Sequence, residues 1–197
     1  MTMALEIDVE TLTPNQAARR QAVLDAAMKL AAEGGYDAVQ MRDVAQEAGV
    51  ALGTIYGYFA SKDHLLAACQ VAFARDLQQR LEEHPAEGDT AADRVVDVLR
   101  RATRRTEREP RLMAAMVTAI SSPDPAVSPC QREITAVMAA ILAKPMSDVD
   151  PALREGIIRA LSHVWFSALQ GWVNGWTNVG AVGDELESAA RLLLRDV

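Results

Sequence analysis

Leu52, Gly53, Thr54, Tyr56, Gly57 and Tyr58 fall on the outward side of a seven-residue stretch whose remaining member, Ile55, faces inward together with the following Phe59. The outward residues are small, hydroxylated or aromatic where a solvated helix would carry charge. Such a surface suits non-covalent recognition of base edges: Thr and apolar side chains meet base edges and thymine methyls in a major groove, and glycine lets the backbone come close. Covalent chemistry has no comparable footing. Hydrolysis needs a nucleophile, a base and an orienting group, and the three histidines, His64, His84 and His163, fall at a junction, in a loop and in a helix with no partner motif around them. No glycine-rich phosphate loop and no metal-ligand spacing occurs, so no catalytic residue, metal or cofactor is expected. Cys69 and Cys130 lack the spacing of a zinc or redox motif and read as buried thiols of a reducing cytoplasm.

A recognition surface of this kind needs a frame. Just before it, Met41, Val44, Ala45 and Ala48 recur at three- and four-residue spacing on one helical face, while Arg42, Asp43, Gln46 and Glu47 fall on the wet side. This helix is predicted to stop at Gly49, because glycine accepts the left-handed conformation of a helix end, and a second helix to begin near Ala51. Gln40 sits at or near the cap of the first helix, where free backbone N–H groups can hold a phosphate and Arg42 can reinforce the contact. Two paired helices with an Ala-Gly turn form a helix-turn-helix; an αα-hairpin that only packs is the blander alternative. Upstream, a helix from Pro14 carries Ala18, Val23, Ala26, Ala27, Leu30 and Ala31 inward and is expected to end at Gly34-Gly35.

In order and spacing, Gly35 to Ala45, Ala48-Gly49-Val50, Gly53 to Phe59 and Ser61 to Leu66 resemble the amino-terminal DNA-binding domain of TetR-type transcriptional regulators. The likeness runs from about Gln16 to Ala72, and several separated motifs fall in register. Looser similarity at Arg108 to Met116, Val164 to Ser167 and Ala189 to Leu194 points, within that family, to the mycobacterial type that regulates cholesterol degradation. The resemblance implies base-edge contact by Leu52, Gly53 and Thr54, with Ala51 and Gly57 beside them, and phosphate contact by Gln40, Arg42, Tyr56, Tyr58 and Lys62. Many relatives carry a basic or larger residue where Gly57 stands, which leaves operator choice open. It also leaves standing a helical ligand-binding adaptor, or an enzyme, with no DNA-binding activity.

With 197 residues, half of them hydrophobic, few aromatics, and glycine and proline confined to apparent junctions, the chain is expected to be all-α. The expected division is a mobile tail at 1–13, a three-helix helix-turn-helix domain at 14–61, and a larger helical effector-binding and dimerisation domain at 62–197. A net charge of −7 argues against sequence-blind nucleic-acid binding. Even Pro14 to Leu66 carries one more acid than base. DNA binding must therefore rest on a few well-placed groups, used twice, in a homodimer. The amino terminus lacks the basic start and apolar run of a signal peptide, and no apolar run reaches membrane-span length, so a cytoplasmic protein that binds no membrane is expected.

Beyond Ser61, a good N-cap, Lys62 to about Glu83 should connect the two halves, followed by helices from Thr90 to Arg108, Arg111 to Ser121, Pro129 to Ala143, Pro151 to Trp176 and Asp184 to Arg195. The family keeps a cavity among such helices, and a hydrophobic effector there would meet Phe73, Leu77, Met113, Met116, Val117, Ile120, Met138, Leu142, Trp165, Phe166, Leu169 and Gln170. Methionine adapts to varied ligands, although a Met stripe on a helix is as readily plain core. Arg100, Arg101, Arg104, Arg105 and Arg108 crowd one helix. They read either as a solvated face paired with neighbouring acids or as an anion site for the phosphates of an acyl-coenzyme A thioester, the effector the closer resemblance implies. The last two helices carry more apolar surface than one subunit normally hides, so Leu161, Trp172, Leu186, Ala190 and Leu193 are assigned to a four-helix interface between two copies.

Overall fold

The computed structural model describes residues 12–197, all of it helices and connections, with no strand among the described residues. The expected tail falls almost entirely outside the described residues. Its last member, Thr13, caps the first helix. Thr13 Oγ1 accepts from the Gln16 N–H at 3.4 Å and Gln16 Oε1 accepts from the Thr13 N–H at 2.9 Å, a reciprocal box with Pro14 in the first turn. The chain then forms α1 (Pro14–Ala38), α2 (Met41–Glu47), α3 (Leu52–Tyr58), α4 (Lys62–Glu83), α5 (Ala91–Arg108), α6 (Pro110–Ile120), α7 (Ser128–Ala143), α8 (Pro151–Val173) and α9 (Val179–Leu193), with 3-10 turns at Pro125–Val127 and Lys144–Met146.

Two compact units are present. The first takes in the described residues up to Val71 together with Arg111–Gln131, and the second comprises Ala72–Pro110 and Arg132–Val197. In the first, α1, α2 and α3 pack on one another, and Val23, Leu24, Ala27, Val44, Ile55 and Phe59 are buried. From α4 come Leu65, Leu66 and Cys69, whose Sγ lies 3.7 Å from the Leu24 carbonyl. Burial pushes the Cys69 thiol up to about 12, so it stays protonated. From α6 come Leu112, Met113, Met116 and Val117. Helix α1 differs slightly from expectation: it is interrupted at Gly35, with φ of 74°, and then completes one more turn to Ala38.

In the second unit α9 packs on both α5 and α8. Two boundaries differ from those expected from sequence, one set by a glycine and one by a cap. Helix α8 ends before Trp176, because Gly175 takes a φ of 75°, the Trp176 N–H reaches the Gly171 carbonyl at 2.8 Å and the Gly175 N–H reaches that of Trp172 at 3.0 Å. Helix α9 starts five residues before Asp184, capped by Asn178 Oδ1 on the Ala181 N–H at 3.1 Å. Gly183 then lies inside the helix, where a Cβ would sit 3.4 Å from Thr103 Oγ1 of α5. This packing corrects the dimer assignment: Leu161, Leu186 and Ala190 are wholly buried inside their own protomer, and only Trp172 and Leu193 retain exposure. The large apolar residues of this unit left facing out are Leu153, Phe166, Trp176, Leu192 and Val197, with Trp176 80% exposed.

Candidate nucleic-acid interface

The turn between α2 and α3 is made by backbone geometry. Gly49 has a φ of 66°, its N–H reaches the Gln46 carbonyl at 3.2 Å, and the Val50 N–H reaches back to Ala45 at 3.0 Å. These are the two bonds that close a helix on a left-handed residue. The chain re-enters helix at Ala51, which caps α3 in extended conformation. Ile55 and Phe59 anchor α3 from below, at 0% and 1% exposure. On the outer face Ala51, Gly53, Tyr56 and Gly57 are exposed, and Leu52, Thr54 and Tyr58 are half-buried. Apart from the adjoining residues and the helix's own backbone, nothing lies within 4 Å of where a Cβ would stand on Gly53 or Gly57, so the face is open on both sides of Tyr56.

The other groups expected on phosphate lie at the start of α2 and at the start of α4. Gln40 caps α2 with its backbone, while its side-chain Nε2 donates to the Asp37 carbonyl at 2.9 Å, leaving the first-turn N–H groups of α2 without a side-chain cap. Arg42 is exposed two residues on. Lys62 is more constrained than expected: its Nζ sits 3.7 Å from the centre of the Tyr36 ring and donates to the Tyr36 carbonyl at 3.2 Å. Tyr36 in turn donates its hydroxyl to Asp63, and burial, with that carboxylate second, raises its pKa to about 12. The ammonium is thus held at a fixed point at the start of α4, with one donor still available.

Sequence reasoning places His64 at a junction as a packing and hydrogen-bonding group, but not the cluster it forms with Arg20 and Phe59 between α3 and α4. The Arg20 guanidinium lies 5.2 Å from the centre of the Phe59 ring, and His64 meets that ring edge-on at 5.6 Å. Its Nδ1 accepts the Ala60 N–H at 3.2 Å, which assigns a neutral ring with the proton on Nε2. Burial lowers the His64 pKa below its ordinary 6.5, against the Asp124 carboxylate, with Arg20 adding to the lowering. As pH falls through 6.5 the unfolded chain therefore takes up a proton that the folded chain refuses. The contribution of this residue is complete above 6.5 and is lost below it, down to the folded pKa. Urea titrations are expected to give a lower midpoint at about pH 5.5 than at about pH 7.5. His64→Asn, whose amide oxygen accepts the same N–H without titrating, should narrow the gap; an equal gap in the variant would clear His64 of responsibility.

The arginine-rich α5 does not converge on an anion site. Arg100 pairs with Glu187 of α9 at 2.7 Å, Arg101 with Asp97 at 2.6 Å, and Arg105 lies 3.7 Å from Asp76 and 3.5 Å from Glu109 while covering the Phe73 ring at 4.7 Å. Those three are committed to neighbours because acids recur on α4, α5 and α9 at matching heights; Arg104 and Arg108 remain exposed. The expected effector contacts are divided between the two units. Met113, Met116, Val117 and Ile120 are buried residues of the first. Leu77, Leu142 and Leu169 are buried in the second, where Phe73, Met138, Trp165 and Gln170 are half-buried. Phe166 is a correction: it is 51% exposed on the outer side of α8 and lines no interior space. A recess of about 620 Å³ on α4 is lined by Arg75, Gln78, Gln79, Glu82 and Glu83, none of them expected to meet a hydrophobic ligand.

Residues 23–69 match the family described as bacterial regulatory proteins, tetR family, and residues 88–193 match a tetracyclin repressor-like C-terminal domain. The HTH-type transcriptional repressor KstR of Rhodococcus jostii (strain RHA1) is 35% identical over 182 residues, spanning 92% of this chain and 85% of that protein. The crystal structure of a TetR transcriptional regulator from Rhodococcus sp. RHA1 has a TM-score of 0.81 at 32% identity, covering 93% of this chain and 99% of that one. Thermus thermophilus FadR, a TetR-family repressor in complex with lauroyl-CoA, shares the fold with a TM-score of 0.70 at 23% identity, covering 89% and 93%.

Proposed function

We propose, on the premise that this chain belongs to the TetR family of bacterial regulatory proteins and is a DNA-binding transcriptional regulator and not an enzyme, that two copies present α3 to successive major grooves of a pseudo-palindromic operator as a repressor. A hydrophobic effector, an acyl thioester of coenzyme A, releases them. The observation that carries the reading is the outer face of α3, uncharged and unobstructed at Gly53 and Gly57, with Tyr56 standing out of it. Thr54 and Leu52 read base edges in this arrangement, and Tyr56, Tyr58, Gln40, Arg42 and Lys62 hold phosphates. A single copy has little cationic charge to offer DNA, so pairing is required. Phe166, Trp176 and Leu192, with the half-buried Trp172 and Leu193, supply apolar surface for it. The effector class follows the names of the related proteins, and Arg104 and Arg108 are the α5 cations left to meet its phosphates. A cytoplasmic location belongs to the same reading; among the described residues no helix is long and apolar enough to cross a membrane.

Selection of duplexes from a randomised pool by the purified full chain, followed by footprinting, tests the operator. The expected site is an inverted repeat with half-site centres about 34–36 Å apart or a multiple of that spacing. Failure to enrich any sequence over the pool would overturn the reading. Lauroyl-CoA added to the complex should release it at lower concentration than lauric acid does. Equal potency would remove the thioester.

A further inference from the structure

Residues Arg111–Gln131 lie within the stretch that matches the C-terminal domain of the family, yet they form one compact unit with the DNA-binding helices. The chain on either side of them belongs to the other unit. Within the first unit this segment is tied down at both ends. At the start of α6, Arg111 Nη1 donates to the Glu33 carbonyl, near the end of α1, at 2.7 Å. Past the end of α6, Asp124 Oδ2 accepts the Ser61 hydroxyl at 2.6 Å, while its Oδ1 holds the Ala126 N–H at 2.9 Å. Ser61 is the cap of α4: its Oγ accepts the His64 N–H at 3.1 Å. Its hydroxyl thus gives its only proton to Asp124 while its lone pair holds the helix, and neither bond competes with the other. The hydrogen bond from Ser61 is also the leading reason that the Asp124 carboxyl ionises below its usual range.

We propose that Asp124 is a positioning residue for operator binding: by fixing the Ser61 cap it sets the first turn of α4, and so Lys62 and the end of α3, in the orientation that meets the DNA backbone. The inference rests on the operator reading above. Asp124 itself touches neither DNA nor effector.

The test is a double-mutant cycle in the full chain, using a duplex recovered by selection with the wild-type protein. Ser61→Ala and Asp124→Ala should each weaken binding on the order of 10-fold, and the double variant no more than either alone. Ser61→Thr, which keeps both the cap and the hydroxyl proton, should restore wild-type affinity. The readout that separates positioning from simple loss of fold is salt dependence. If the Lys62 phosphate contact goes, the slope of log affinity against log salt should fall by about one, whereas a partly unfolded sample keeps the wild-type slope. Should Asp124→Ala fail to fold, Ser61→Ala, which removes a single oxygen, carries the same comparison against Ser61→Thr. Additive losses, an unchanged slope or no loss overturns the proposal while leaving the operator reading intact. A wild-type chain that selects no duplex overturns both.

Discussion

Replacing Phe59 with alanine is expected to lower the unfolding free energy by about 3–5 kcal/mol, the usual cost of emptying a buried aromatic site. The ring is 1% exposed, has the Arg20 guanidinium 5.2 Å from its centre and the His64 edge at 5.6 Å, and closes α3 with its own N–H on the Ile55 carbonyl at 2.8 Å. The first unit is closely filled, with Ile55, Leu65 and Leu66 also at 0% exposure, which leaves little slack to refill the space. Against a total stability of roughly 5–15 kcal/mol for a domain, the loss should be plain in a urea titration, and operator binding should fall with it. Phe59→Leu keeps most of the volume and should cost far less. A loss below about 1 kcal/mol in Phe59→Ala would mean that the α3–α4 junction does not depend on this ring.

Three residues earlier the balance reverses. Tyr56 is 54% exposed, so Tyr56→Ala should leave stability within about 0.5 kcal/mol, alanine being the better helix former. Its effect belongs to binding: loss of a ring and a hydroxyl facing the groove should weaken the operator complex by roughly 1–3 kcal/mol, about 5- to 150-fold. A gel-shift titration of a folded, still dimeric Tyr56→Ala protein with undiminished affinity would remove Tyr56 from the interface. Together the two variants separate what holds α3 in place from what α3 offers to a ligand.

Several features could be read directly from residue order because they depend on near neighbours. Helix α4 runs from Lys62 to Glu83 as expected, since Ser61 caps it and the apolar residues repeat at helical spacing. The turn at Gly49 and the inward turn of Ile55 belong to the same class. So does the all-helical class, which follows from alanine and leucine content. Errors arose where a local rule was outweighed. A last helix beginning only at Asp184 is expected, but the Asn178 cap and the close approach of Gly183 to Thr103 go with a helix that already includes Gly180 and Gly183. Thr13 and Gln16, three residues apart, form a capping box at a position expected to belong to a tail.

What residue order alone determined is the helix-turn-helix and the character of its outer face, because both arise from periodicity, a left-handed glycine and side-chain type within some twenty neighbouring positions. Tertiary structure alone decided which cations and apolar groups remain available. Arg100 became the partner of Glu187, 87 positions away, Leu161 and Leu186 went into their own core, and Ser61 found Asp124 across 63 residues. Pairings over such distances depend on which helices come to lie side by side. That outcome is set by the packing of whole faces, and no local spacing encodes it.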